Sequence, residues 1–282
     1  MGAILSPDVD LDLSMEHCYQ AISMEAFSVE SILGVIKKYL PGLSRGFKGA
    51  TSVLHDSNLS NIEDLPKDFR TTALVLRSVD YLTLEKFRVY VHEGFNSKLL
   101  DAVPFLNSII DHMGFVTNLT TDYRMFLSGV ISNKDSRISL NSHREIYKKS
   151  ETLVHELGKE IASHYTANSY NTIKTFHECF DRNSDAEKFY IEMQKIHSRL
   201  NAVSIADIRK SVDLCAEYLD TFINSIKSGE VNDVSNEVIK DLATGSYRIA
   251  KEAEFIAANY YRVNIFISTA QRLAKDINAL KM

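Results

Sequence analysis

Five stretches of this 282-residue chain place mostly apolar side chains at intervals of three and four residues, alternating except at the last step of the second. Few other sequence patterns restrict a fold so tightly. The first stretch runs Leu106, Ile109, Met113, Val116, Thr120, Tyr123, Leu127 and Val130. The second is Ile146, Ser150, Leu153, Leu157 and Ile161, and the third is Phe189, Met193, Ile196, Leu200 and Val203. The fourth is Ile205, Ile208, Val212, Cys215, Leu219, Phe222 and Ile226. The last is Ile249, Ala253, Ile256, Tyr260, Val263, Ile267, Ala270, Ala274 and Ile277. A mean period of 3.5 keeps one seam of a helix turned toward a neighbour over many turns. The expected fold is therefore mainly α, an antiparallel helical bundle with long, coiled-coil-like helices. A last helix from Val234 to Leu280 would run roughly 70 Å at 1.5 Å per residue, protruding or breaking near Gly245.

Punctuation along the chain agrees with long helices. There are 11 Gly and 4 Pro, too few for the turns of an all-β protein of this length. An amphipathic helix over Ser14 to Leu40 is expected to stop at Pro41-Gly42, followed by a short helix from Ser44 to Leu54 and a loop over 55–68. One small β element is expected near residues 71–94. There Phe87, Val89 and Val91 alternate with Arg88, Tyr90 and His92, with Ala73 to Leu76 as the pairing run. Ser184 with Glu187 reads as a capping box before the third seam, and Ser228-Gly229 as the end of the fourth. These boundaries divide the chain into an acidic segment and amphipathic helix (1–42), a helix/β connecting region (43–100) and a helical bundle (101–282).

Charge and chemistry narrow the function. A net charge of −5 supplies no global basic field for nucleic acid or an anionic membrane. The start of the chain has no basic-then-apolar leader and no stretch reaches about 20 apolar residues, so neither secretion nor a membrane span is expected. Three distant cysteines, Cys18, Cys179 and Cys215, form no CxxC pair, and reduced thiols are the expectation. His155-Glu156 begins like HExxH, but Lys159 stands where the second histidine belongs. His177-Glu178-Cys179 and His17-Cys18 lack a partner pair, so no metal site is expected. No nucleophile elbow, Walker loop or GxGxxG occurs. No catalytic residue, no cofactor and no small-molecule substrate are expected, and the chain does not read as an enzyme. Tyr260-Tyr261 and Phe189-Tyr190 should each put one ring in the seam and one outside, where it could meet a partner. Arg248, Lys251, Arg262, Arg272 and Lys275 give the last helix a basic trace, diluted by Glu252 and Glu254 on what reads as a solvated face.

The triplets Ser14-Met15-Glu16, Ser23-Met24-Glu25 and Ser28-Val29-Glu30 repeat a small-x-Glu pattern. Serine and glutamate so spaced start and solubilise a helix. The run Ser23 to Leu33, followed by Val35-Ile36-Lys37-Lys38-Tyr39-Leu40-Pro41-Gly42, resembles the N-termini of structural and internal head proteins of large tailed bacteriophages. The stretch Phe87 to Phe95 is similar to a segment of those proteins in which a valine-rich strand leads to a Glu-Gly turn. The resemblance covers less than a fifth of the chain. It implies a non-enzymatic virion protein, made in the host cytoplasm and housed in or on the head, packing against other virion proteins or itself. Contact with packaged DNA is not indicated by the charge. It also implies maturation cleavage after Glu16, Glu25 or Glu30, since a small-x-Glu triplet is what some viral maturation proteases cut. The alternative from the residues alone is a cytoplasmic helical adaptor or regulatory binding protein, its long helix pairing with a partner's helix.

Overall fold

A computed structural model of the chain describes residues 17–23, 39–49, 52, 54, 69–132, 137–166, 172–203, 205–230 and 234–281. The fold is mainly α. Helices α1 (17–23) and α2 (39–49) precede α3 (Phe69–Leu76), and strand β1 (Arg88–Tyr90) follows. Then come α4 (Val103–Ile131), α5 (Arg137–Ser163), β2 (Ile173–Thr175), α6 (Phe176–Cys179), α7 (Asn183–Ala202), α8 (Ile205–Ser228) and α9 (Asn236–Asn278).

The three-four stripes are where the core lies. Every named position of the first and last seams is buried, including Ile256, Val263 and Ile267 at 1% exposure or less. In the second seam Ser150, Leu157 and Ile161 are buried while Ile146 and Leu153 are half-buried. The third and fourth seams are buried except at their facing ends, Val203 and Ile205.

The chain forms two compact units, each assembled from separated segments. One comprises residues 1–58, 114–154 and 205–257; the other comprises 59–113, 155–204 and 258–282. The segments interleave because α4, α5 and α9 each contribute residues to both units.

In the first unit, Phe47, Leu127, Val212, Leu219, Phe222, Leu242 and Ile249 are buried. Hydrogen-bonded polar pairs border this interior, each with at least one buried member. His143 bonds Asp122, Arg144 Nε donates to both Asp241 oxygens at 2.9 and 3.1 Å, and Ser150 Oγ donates to the fully buried Glu252. The Tyr123 hydroxyl bonds Ser246 Oγ, which donates to the Leu242 carbonyl at 2.9 Å. Glu252 therefore faces the core, not the solvated surface that its alternation with Lys251 suggested. A buried carboxylate is tolerable only with such hydrogen-bond partners.

Two helix-breaking expectations do not hold. Pro41 and Gly42 lie within helical residues 39–49. A proline is compatible with a helix where its missing N–H would have had no acceptor. Gly42 serves packing, since a Cβ there would stand 2.8 Å from Cys18 Sγ. Gly245 likewise does not break α9, which is continuous for 43 residues, roughly 65 Å. A Cβ at 245 would meet the Tyr123 ring and the Tyr147 hydroxyl at 2.6 Å. The glycine is there for close approach.

The second unit holds a stack of aromatic rings. Phe95 meets Phe266 edge-on with centroids 5.0 Å apart, and Phe105 meets the same ring at 5.7 Å. Phe180, Phe189, Tyr190 and Phe69 follow one another at 5.5 to 5.6 Å. Tyr190, expected to point outward, is fully buried, its hydroxyl donating to the Ala270 carbonyl at 3.0 Å. The expected pairing run Ala73 to Leu76 is helical instead. Phe69, Thr72, Ala73, Val75 and Leu76 are the buried positions of α3, and all but Val75 form a helical i, i+3, i+4, i+7 set that a four-residue window conceals. The capping box at Ser184 is also absent. Arg182 is the N-cap of α7 with no side-chain bond, and Glu187 instead accepts from Arg77 Nε at 2.7 Å. Asn183 Nδ2 donates to the Val79 and Leu76 carbonyls, fixing the start of α7 against the end of α3.

Candidate interaction surface

The expected β element exists as a two-stranded antiparallel ribbon, but its partner strand comes from 85 residues further on: Arg88 pairs with Thr175, Val89 with Lys174, and Tyr90 with Ile173. Alternation sets its faces. Val89 and Val91 are buried while Arg88 and Tyr90 are exposed, as a half-buried strand of period two requires. The ribbon ends where Gly94 adopts a φ of 78°, open to glycine without a Cβ penalty. The Phe95 N–H closes this turn onto the His92 carbonyl at 3.0 Å. The other strand is held by a capping box. Thr175 Oγ1 accepts from the Glu178 N–H at 3.3 Å, and the Glu178 carboxylate accepts from the Thr175 N–H. Those bonds from Thr175 hold the Glu178 carboxyl below its usual value.

The outward face of this ribbon adjoins α9 and carries large apolar groups in the open. Tyr90 is 48% exposed, its cross-strand partner Ile173 is 44% exposed, and Tyr261 on α9 is 56% exposed. Arg272 lies over the Tyr90 ring, 5.7 Å from its centroid, and Thr269 Oγ1 donates to the Tyr90 carbonyl. His92, two residues beyond the end of the strand, meets Tyr261 edge-on at 6.1 Å and Tyr165 edge-on at 5.5 Å. Arg262 covers Tyr165 at 5.6 Å. Burial pushes the Tyr165 phenol up, partly countered by that guanidinium. These separations fall within the ranges for edge-to-face and cation–π contacts. The exposed rings are thus held in place by neighbours, so little side-chain entropy remains to be lost when a partner covers them.

Tyr260 and Tyr261 behave as their spacing predicts, one ring at 5% exposure in the seam and the next outside. Arg262 and Arg272, part of the basic trace on the last helix, sit on tyrosine faces. The role of Ile173 was not legible, because no local pattern tells which distant strand will pair with 88–90. The residues implied as cleavage sites, Glu16, Glu25 and Glu30, lie outside the described residues.

The groups weighed for chemistry are dispersed. His155 and Glu156 are both exposed on α5. His177 stacks on Tyr81 at 4.0 Å with Nε2 3.1 Å from the Tyr81 carbonyl, a packing role. Burial pushes the Cys179 and Cys215 thiols up to about 12 and raises Cys18 as well, so none is a thiolate at neutral pH. Among the described residues, no group of three or more metal-capable side chains gathers, and no helix is long and apolar enough to cross a membrane. No protein-family model matches the chain, and neither a curated protein nor a solved structure matches it.

Proposed function

We propose that this protein is a non-enzymatic structural component that works by packing against other proteins, and that its place is in or on the head of a tailed bacteriophage particle. The observation that carries the packing role is the surface formed by Tyr90, Ile173 and Tyr261, three exposed apolar groups braced by Arg272 and His92. Aromatic and arginine side chains are the types enriched at protein interfaces and among their energetic hot spots. A hydrolytic or transfer site would instead gather a nucleophile, a base and a charge stabiliser in a cleft.

The virion assignment draws on the resemblance over Phe87 to Phe95. That segment folds as a strand followed by a glycine turn, and it is the segment that presents Tyr90 and His92. The stretch with the resemblance thus supplies Tyr90, one of the three exposed groups, and the His92 that braces Tyr261.

Mass spectrometry of purified particles tests the assignment. Peptides of this chain are expected at a fixed ratio to the major head protein and should withstand protease treatment of intact particles if the chain is internal. Particles free of these peptides, with the protein recovered on a soluble cytoplasmic partner, would overturn the virion reading in favour of an adaptor.

A further inference from the structure

In the first unit, one face of α2 and the C-terminal part of α8 enclose an open cleft of about 360 Å³. Its polar lining is Ser44, Arg45, Lys48, Asp220, Asn224 and Lys227, over a base that includes the buried Ile223. Three cations and one carboxylate leave a net charge of +2. The carboxylate is already satisfied, because Asp220 accepts from both the Ser44 hydroxyl and the Lys48 ammonium. Burial alone would push the Asp220 carboxyl up, but these two bonds outweigh it and hold the group below its usual value. Arg45 and Lys227 make no ion pair or hydrogen bond with any described residue, and both are exposed to the cleft's solvent.

Lys227 has a bland account. It lies in the last turn of α8, where unpaired carbonyls favour a cation. Arg45 has none, being mid-helix on α2 with no carboxylate paired to it among the described residues. A guanidinium, an ammonium and the Asn224 amide around one small space offer donors for an oxyanion, and the cleft's one carboxylate, Asp220, is already engaged by Ser44 and Lys48. Charge of +2 and planar two-pronged donation suit a phosphate better than a single carboxylate.

We propose that this cleft is an anion site that takes a phosphate group, either as inorganic phosphate or as a small phosphate monoester. The anion would lie between Arg45 and Lys227, with Lys48 kept in place by Asp220 and lending charge without leaving its partner. The proposal is independent of the virion assignment, since it rests on a different surface and uses none of the exposed rings.

Isothermal titration of the full chain tests it, with inorganic phosphate in one arm, methyl phosphate in another, and sodium chloride at matched ionic strength as the blank. Saturable binding of one equivalent with a Kd of about 1 mM or tighter is expected. Arg45→Gln and Lys227→Gln should each weaken it about tenfold, and the double variant should remove it, with an unchanged far-ultraviolet spectrum since both side chains are exposed. Tighter binding of methyl phosphate than of phosphate would identify a monoester as the ligand, and the reverse order would identify the free ion. Heat no different from the chloride blank, or binding that survives in the double variant, would overturn the proposal.

Discussion

A methyl group at position 245 would have to occupy space already held by the Tyr123 ring and the Tyr147 hydroxyl, both 2.6 Å away. Alanine in place of a helical glycine ordinarily gains about 1 kcal/mol of helix propensity. Here the overpacking cost of about 1–3 kcal/mol outweighs that gain. Gly245→Ala should lower stability by up to about 2 kcal/mol in urea denaturation, with Gly245→Val lowering it further. The buried thiols give a second prediction at this scale. Cys179 and Cys215 rise from an ordinary 9.0 to about 12 in the folded chain. Between those values the unfolded chain has lost thiol protons that the native chain keeps, so stability falls as pH climbs. The loss should begin near pH 9 and level off near 12, and Cys215→Ala should lessen the slope. Native protein at pH 8 should also react with a thiol reagent far more slowly at these two positions than unfolded protein does.

Elements were legible where their signal was long, and illegible where it was short. The last helix, expected over 234–280, is Asn236–Asn278, because nine apolar positions in register leave no other period to choose. The end of α8 is also as read. Gly229 has a φ of 79°, and the Glu230 N–H bonds back to the Ser225 carbonyl at 3.0 Å. By contrast, Ala73 to Leu76 fits either period within four residues, and only packing against α7 makes it helix. The capping box went to Thr175-Glu178 and not to Ser184-Glu187, since the helix starts ahead of Ser184 with Arg182 as its N-cap, and Glu187 accepts from Arg77. Thr175 joins β2 to α6 through that box. Thr175→Ala should cost about 1 kcal/mol and raise amide exchange at Glu178 more than in α4. An unaltered exchange rate at Glu178 would show that the ribbon holds this corner without the cap.

At the scale of the whole molecule, the class of fold was readable and the surface only half so. Periodicity identifies Tyr261 as the outward ring of its pair, but it misplaces Tyr190, whose hydroxyl finds a carbonyl on α9 and makes burial tolerable. Tyr90 and Ile173 meet only because strands pair across a sequence separation of 83 residues, a contact with no local trace. If the exposed rings form the interface, Tyr90→Ala with Tyr261→Ala should abolish co-purification with particles while shifting the melting temperature by only a few degrees, since surface changes are usually within about 0.5 kcal/mol. Undiminished co-purification of the double variant would place the interface elsewhere.

The interleaving of the two units bears on how the protein is made. No contiguous stretch contains either unit, and bonds such as Ser44 to Asp220 and Thr269 to the Tyr90 carbonyl span 176 and 179 positions. Topologies closed by such distant partners gather slowly, because the chain entropy must be given up before the contacts return anything. On a ribosome, the first unit cannot close until residues of α9 up to Ala257 have emerged, and the second needs what comes after. Neither half should become protease-resistant on a stalled nascent chain that stops before α9, and both should gain resistance only after that helix has left the exit tunnel.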